Sequence, residues 1–182
     1  MKIMLRCFVA IWPPLDIREK ISTLQKKLTT LPMKFKIVKP ANIHVTVSFL
    51  GERREDEVNN IKSELDMICS TYNPFEIILK GIKLIPNKNY IRVIAVDVIE
   101  NEELLKIIRN VSNSLKGDYK PPHLTLCRVK SIKDKKRIIE FAENYESTNF
   151  GKFIVNEIAL VKSTLTPSGP IYETIHVSKL KT

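Results

Sequence analysis

Short apolar runs alternate along the chain with segments whose apolar residues recur at helical spacing. Runs rich in β-branched and aromatic residues predict strands, and these lie at residues 3–11, 35–38, 43–50, 75–85, 90–98, 123–129, 152–162 and 171–180. Apolar residues three and four positions apart predict amphipathic helices at residues 16–28, 55–69, 102–115 and 133–145. We therefore expect order along nearly the whole chain.

The order of these elements mixes hairpins with crossovers through helices. The tetrapeptide Pro86-Asn87-Lys88-Asn89 lies between two apolar runs and is typical of a hairpin connection. Such a mixture favours an α+β fold over an all-parallel one. No linker or low-complexity segment interrupts the 182 residues, so a single domain spanning residues 1–182 is predicted.

One short pattern occurs twice in the chain. Residues 40–47 (PANIHVTV) and 121–126 (PPHLTL) each place His-x-Thr-x shortly after a proline, and the two histidines are 79 positions apart (123 minus 44). The chain has 3 histidines, and two of them occupy this pattern. The repeat indicates that the domain consists of two related halves.

The net charge and the cysteine content limit which binding partners and which cellular compartment are expected. A formal net charge of +10 predicts attraction to polyanions such as nucleic acid, nucleotides or acidic lipid headgroups. Cys7, Cys69 and Cys127 form no close pair, so we expect neither a disulfide framework nor a cysteine-rich zinc site. No segment reaches the roughly 20 apolar residues that span a bilayer. The expectation is a cytoplasmic protein without a membrane partner.

The repeated pattern places acid–base chemistry on two strands. Side chains two positions apart on a strand share a face, so His44 and Thr46 project together, as do His123 and Thr125. Histidine, with an ordinary pKa of about 6.5, can be neutral in one copy and protonated in the other near neutral pH. A neutral imidazole takes a proton from water, an imidazolium protonates a leaving oxygen, and hydroxyls bind phosphate oxygens. This set favours phosphodiester chemistry without a metal or another cofactor.

Four segments together resemble the 2H phosphoesterases: residues 38–52 (VKPANIHVTVSFLGE), 122–129 (PHLTLCRV), 6–11 (RCFVAI) and 163–172 (STLTPSGPIY). Within that superfamily the chain is most similar to the RNA 2′,3′-cyclic phosphodiesterases, historically called 2′-5′ RNA ligases. The resemblance implies a bilobal α+β fold with two pseudo-symmetric lobes. Two antiparallel sheets would face a central basic cleft, with helices packed outside.

The resemblance also implies roles for particular residues. His44 would be the proton donor to the leaving 3′ oxygen of an RNA 2′,3′-cyclic phosphate, and His123 the proton acceptor that activates water. Arg128 matches an arginine that this family places near the phosphate. Strand alternation from His123, however, reaches Thr125 and Cys127 and turns Arg128 away unless the strand bends.

Other residues are candidates for substrate binding. Phe49 and Tyr172 are aromatic residues that could stack a base, and Arg6 on the first strand could point into the cleft. His176 shares strand parity with Tyr172, and we expect it to be solvated rather than catalytic. For Cys127, burial as a small apolar side chain is expected.

The sequence leaves several functions open. The preferred one is hydrolysis of a terminal 2′,3′-cyclic phosphate of RNA to a 2′-phosphate by a monomer without an obligate protein partner. Ligation of RNA through a 2′-5′ bond at the same site is one alternative. A non-catalytic module that binds RNA ends or nucleotides is another. A small cyclic nucleotide is also a conceivable substrate, although the charge of +10 favours RNA.

Overall fold

Nine strands and four α-helices make up the described part of the chain, residues 3–181 of a computed structural model. The strands are β1 Met4–Ile11, β2 Met33–Ile37, β3 Val45–Arg54, β4 Phe75–Pro86, β5 Ile91–Val98, β6 His123–Ile132, β7 Asn149–Val155, β8 Glu157–Thr166 and β9 Gly169–Lys179. The helices are α1 Leu15–Lys27, α2 Glu55–Cys69, α3 Glu102–Ser114 and α4 Lys135–Asn144. Within residues 3–181 no helix is both long and apolar enough to cross a membrane.

The helices form where the periodicity predicts them and bury their apolar faces. On α2 the side chains of Val58, Ile61 and Leu65 are buried, as expected from their spacing. The side chain of Asn101 accepts a hydrogen bond of 2.8 Å from the backbone N–H of Leu104, which caps the start of α3.

Two of the predicted strands differ from the structure by more than a shift of one to three residues at an end. The run predicted as one strand at residues 152–162 is two strands, because β7 pairs with β4 and β8 pairs with β1. Asn156 lies between β7 and β8, where the chain passes from one group of strands to the other. Gly51 does not end β3, which continues to Arg54. The backbone of Gly51, with φ of 70°, lies at an irregularity in the pairing of β3 with β1, and glycine adopts this conformation without strain.

Strand pairing divides the sheet into two lobes. One lobe contains β3, β1, β8 and β9, and the other contains β7, β4, β5 and β6 with β2 paired to β6. A single antiparallel pair, Val45 with Leu124, joins β3 to β6. The predicted α+β class with antiparallel strands is confirmed, and the two expected sheets are halves of one curled sheet.

Two helices pack on the lobe opposite to the strand that precedes them. Helix α1 follows β1 but packs against β7 and β6, and α3 follows β5 but packs mainly against β3. The buried Gln25 of α1 donates hydrogen bonds to the carbonyl oxygens of Val38 (2.8 Å) and Leu126 (2.9 Å). These bonds hold the end of β2 beside the middle of β6, close to the second histidine motif.

Candidate active site

His44 lies immediately before β3, after a short 3₁₀ turn at Pro40–Asn42. Its Nδ1–H donates to the backbone carbonyl of Asn42 at 2.7 Å, because a carbonyl oxygen can only accept. In the neutral ring Nε2 is therefore unprotonated, and it accepts a hydrogen bond of 2.9 Å from the Thr46 hydroxyl. The tautomer of His44 is thus set by the backbone two residues earlier in the chain.

His123 repeats this arrangement at the start of β6. Its Nδ1–H donates to the backbone carbonyl of Pro121 at 2.9 Å, again two residues earlier. Among the described residues no hydrogen bond reaches its Nε2. Both imidazoles therefore present Nε2 as the nitrogen available for chemistry.

The join between the two lobes brings the motifs together. Val45 and Leu124, each between the histidine and the threonine of its motif, are fully buried and paired in antiparallel register. Because the strands run in opposite directions, Thr46 lies towards His123 and His44 lies towards Thr125. All four polar side chains line one open cavity of about 250 Å³, called here the two-histidine cleft.

Burial and neighbouring cations lower the pKa of both imidazoles in the free protein. Burial lowers the pKa of His44 to about 4, and the positive charges of His123 and Arg128 act in the same direction, against the hydrogen bond to Asn42. Burial is also the main cause that lowers the pKa of His123, with Lys83, Arg128 and Lys120 adding to it. An anion in the cleft would oppose both effects.

A β-bulge turns Arg128 into the cleft, so the expectation from strict strand alternation is wrong. In the pairing of β5 with β6, Ala95 lies opposite Thr125 and Ile94 lies opposite Cys127, so Leu126 has no partner. The extra residue reverses the alternation after Thr125. Arg128 consequently shares the face of Thr125 and lines the cleft. Cys127 lies on the buried face, where burial raises the pKa of its thiol to about 12.

The first motif contains a matching bulge that positions Phe49. In the pairing of β1 with β3, Ala10 lies opposite Thr46 and Val9 lies opposite Ser48, which leaves Val47 without a partner. Phe49 therefore returns to the face of Thr46, lines the cleft, and is 42% exposed. Phe49 and Arg128 occupy equivalent places, each three residues after the motif threonine.

Tyr172 lies beside the first histidine. Its ring contacts His44 edge-on, with ring centroids 5.5 Å apart, and it also contacts Phe8 at 4.9 Å. Burial raises the pKa of the Tyr172 hydroxyl, while the charges of Arg128 and Arg6 lower it. Arg6 is exposed and lines an adjoining pocket with Tyr172 and Phe49. The structure thus brings all four predicted substrate-binding residues to the cleft or its rim.

His176 does not share the face of Tyr172, so the expectation drawn from strand parity is wrong. In the pairing of β8 with β9, Leu160 lies opposite His176 and Val161 lies opposite Thr174, so the intervening Ile175 reverses the alternation. The Nε2 of His176 lies 2.8 Å from Oδ1 of Asp66 on α2. His176 therefore belongs to the contact between β9 and α2 rather than to the cleft.

Two residues that shape the site, Lys120 and Asn42, were not singled out from the sequence. Lys120 lines the cleft, and its Nζ lies 6.0 Å from the centroid of the Phe49 ring. The side chain of Asn42 donates to the carbonyl of Pro170 at 2.9 Å, which ties the first motif to the start of β9. Only the position of Lys120 just before Pro-Pro-His could have drawn attention to it. Within residues 3–181 no group of three or more His, Cys, Asp or Glu side chains is arranged to hold a metal ion.

The LigT-like phosphoesterase family model matches residues 11–95 and residues 97–172. The RNA 2′,3′-cyclic phosphodiesterase of Methanocaldococcus jannaschii is 40% identical over 177 residues, covering 94% of this chain and 98% of that protein. The protein of the same name from Archaeoglobus fulgidus is 34% identical over 180 residues, covering 95% of this chain and 99% of that one.

Solved structures share the fold. The crystal structure of a Thermus thermophilus protein has a TM-score of 0.81 at 26% identity and covers 97% of this chain and 98% of its own. Escherichia coli LigT complexed with phosphate has a TM-score of 0.73 at 19% identity, covering 98% and 99%. Since the family model matches most of the chain and the relatives align nearly end to end, the chain belongs to the LigT-like phosphoesterase family.

Proposed function

We propose that this chain is an RNA 2′,3′-cyclic phosphodiesterase, which hydrolyses a terminal 2′,3′-cyclic phosphate to a 2′-phosphate. The observation that carries the proposal is the pair of imidazoles, each anchored through Nδ1 to a backbone carbonyl, whose Nε2 atoms serve one cationic cleft. The names of the archaeal relatives support the same activity. Turnover requires no cofactor in this proposal.

In the proposed reaction His44 is the acid and His123 is the base. His123 accepts a proton from a water molecule that attacks phosphorus, a P–O bond to the water forms, and the bond from phosphorus to O3′ breaks. His44 donates its proton to the departing O3′. The product is a 2′-phosphomonoester with a free 3′ hydroxyl, and proton exchange with solvent restores both imidazoles.

The low pKa of His44 in the free protein requires an explanation for its role as a donor. At a pKa of about 4 the ring is almost wholly neutral near pH 7. The negative charge of the bound phosphate favours the imidazolium and raises the pKa of a nearby histidine. In this proposal the substrate itself charges His44, which also keeps the acid inactive in the empty cleft.

Four residues would act on the phosphate and the terminal nucleoside. Thr46 and Thr125 donate hydroxyl hydrogen bonds to the non-bridging oxygens, and Arg128 stabilises the negative charge that develops on them. Phe49 offers an exposed ring on which the terminal base can stack. Tyr172 and Arg6 border the same space.

The remaining expectations form part of the proposal. We infer that residues 1–182 are one domain with two pseudo-symmetric lobes, because each family match contains one histidine motif and each motif is followed by a bulge at the same position. The buried cysteines Cys7, Cys69 and Cys127 are free thiols, which suits a reducing cytoplasm. We propose a monomer that acts on RNA ends, with neither a membrane partner nor an obligate protein partner.

Product identification tests the proposal directly. The protein is incubated in EDTA with a short RNA ending in a 2′,3′-cyclic phosphate, and the product is tested with a phosphatase specific for 3′-phosphates. A product that resists this phosphatase and is absent with His44→Ala or His123→Ala supports two-histidine hydrolysis. RNA binding without ring opening between pH 5 and 9 would instead favour a binding module, and joined RNA products would favour ligation.

A further inference from the structure

A second pocket, called here the β2 pocket, opens beside the two-histidine cleft. It lies between the end of β2 and the turn from β8 to β9, and its walls include Lys36, Lys39, Asn42, Arg128, Ser168 and Pro170. Asn42 and Arg128 line the two-histidine cleft as well. An RNA strand that leaves the two-histidine cleft on this side therefore enters the β2 pocket directly.

Cations without carboxylate partners surround this pocket. Among the described residues, Lys36, Lys39 and Arg128 line the pocket and take part in no ion pair. No Asp or Glu lines the β2 pocket. The third pocket at the cleft, near Arg6, has Glu52 in its wall and is less favourable for an anion. The β2 pocket thus combines uncompensated positive charge with an immediate connection to the reaction site.

The ammonium group of Lys36 lies over the turn from β8 to β9, close to Gly169. A Cβ atom added to Gly169 would lie 3.2 Å from Nζ of Lys36. Gly169 also has φ of 121°, a backbone conformation that other residues rarely adopt. The turn therefore leaves space for the lysine to reach over it towards the pocket.

The antiparallel register gives the cleft a direction. His44 follows Asn42 and lies at the end nearer the β2 pocket, while Thr46 and then Phe49 lead away from it. His123 lies towards Thr46 and hence towards the Phe49 end. The proton donor and the proton acceptor of the proposed reaction are thus at opposite ends of the cleft.

The chemistry of ribose fits this direction in one orientation. The base is attached to C1′, next to the carbon that bears O2′, and the preceding phosphodiester is reached through C4′, next to the carbon that bears O3′. A base stacked on Phe49 places O2′ towards His123 and O3′ towards His44. The preceding phosphodiester then leaves on the side of the β2 pocket.

We propose that the β2 pocket is the subsite for the phosphodiester and nucleotide that precede the cyclic phosphate, with Lys36 and Lys39 contacting the phosphate. The inference rests on the proposed function and deepens it, because it makes an RNA end a better substrate than a mononucleotide. It also links the direction of the bound RNA to which P–O bond breaks, since O3′ is the leaving oxygen only when the RNA strand leaves the cleft past Lys36.

Two substrates that differ by this phosphodiester test the subsite. We would measure kcat/KM for adenosine 2′,3′-cyclic phosphate and for the dinucleotide ApA ending in a 2′,3′-cyclic phosphate. For the wild-type protein the dinucleotide is expected to be the better substrate by roughly tenfold. Lys36→Gln and Lys39→Gln should each lower the ratio of the two kcat/KM values by about three- to tenfold.

Lys34→Gln is the matched control, because Lys34 is exposed on the same strand but does not line the pocket. A ratio that stays at the wild-type value in both pocket variants overturns the subsite. An equal loss in Lys34→Gln also overturns it, since a general field of charge would then explain the preference.

Failure of the proposed function has a different signature. If neither substrate is opened, the affinities of the same two compounds are measured by calorimetry at several salt concentrations. A subsite predicts tighter and more salt-dependent binding of the dinucleotide, with that difference reduced in Lys36→Gln. Equal affinities for the two compounds overturn the subsite whether or not the protein is an enzyme.

Discussion

The Nε2 atom of His44 accepts a hydrogen bond of 2.9 Å from the hydroxyl of Thr46, two residues later in the same motif. The second motif has no such bond between His123 and Thr125 in the described structure, although both histidines are anchored alike through Nδ1. The two halves of the site therefore match in backbone geometry and differ in the state of the side chains. Since a phosphate oxygen can replace the imidazole as acceptor for Thr46, substrate binding is expected to break this bond.

Replacing either threonine by valine removes the hydroxyl while conserving the branched shape that suits a strand. We expect Thr46→Val and Thr125→Val each to lower kcat/KM by roughly 10²-fold, because each removes one donor to the charged phosphate oxygens. Steady-state kinetics on a cyclic-phosphate RNA measure the effect. Serine at the same position should restore most of the activity, and an inactive serine variant would contradict the role of the hydroxyl.

Phosphate binding should raise the pKa of His44. In the free protein burial holds this pKa at about 4, and an anion in the cleft favours the charged ring. NMR titration of the His44 ring protons with and without a 2′-nucleotide measures the shift. The ring-proton chemical shifts of His176, which is bonded to Asp66 outside the cleft, are the control for an effect of the nucleotide away from the cleft. An unchanged pKa of His44 in the complex would argue against its role as a proton donor.

The low pKa of His44 in the folded protein is also expected to lower the free energy of unfolding at acid pH. The unfolded chain binds a proton at the ordinary pKa of 6.5, whereas the folded chain does so only at about 4. The contribution of His44 to stability is therefore complete above pH 6.5 and is lost as the pH falls towards 4.

Urea unfolding at pH 7 and pH 4.5 tests this linkage. Between these values the wild-type protein is expected to lose more free energy of unfolding than His44→Gln does, since glutamine does not titrate. Equal losses in the two proteins would mean that other groups determine the acid sensitivity.

Because the bulge at Leu126 turns Arg128 into the cleft, substitutions of Arg128 test whether its charge and its planar shape contribute to catalysis. Arg128→Gln should lower kcat/KM by roughly 10- to 100-fold, the amount expected when a charge-assisted hydrogen bond is lost. Arg128→Lys should recover only part of that loss, because an ammonium cannot make a planar two-point contact with phosphate. Lys130→Gln, a change of the same charge on the same strand, is the control. A similar loss in Lys130→Gln would indicate a general electrostatic effect.

Gln25 is expected to support the same bulge from α1. Gln25→Leu leaves the carbonyl oxygens of Val38 and Leu126 without this donor and should cost about 1–3 kcal/mol of unfolding free energy. Activity should fall further than stability alone explains, because Leu126 precedes the segment that carries Arg128. Chemical denaturation and kinetics measure both effects. Lys26→Leu, an exposed neighbour on α1, should change stability by only about 0.5 kcal/mol.

Local sequence patterns were sufficient to predict most helices and strands and the two histidines of the cleft, His44 and His123. The helix α2 and the strand β5 follow from spacing and residue type, because apolar residues at the spacing of one face mark the side that is buried. His44 and His123 stand out because the same short motif occurs twice in a chain with 3 histidines. The break between β7 and β8 could not be predicted, since both are apolar and differ only in the strands with which they pair.

By itself the sequence determined the two histidine motifs, the α+β class and the positive charge, because each depends on residue identity or on local spacing. The tertiary structure alone decided that Arg128 and Phe49 face the cleft and that His176 does not, because bulges arise from the pairing between strands. It also decided the direction of the cleft, since that depends on the antiparallel contact of Val45 with Leu124. Residues far apart in the chain acquire a common chemistry only through that contact.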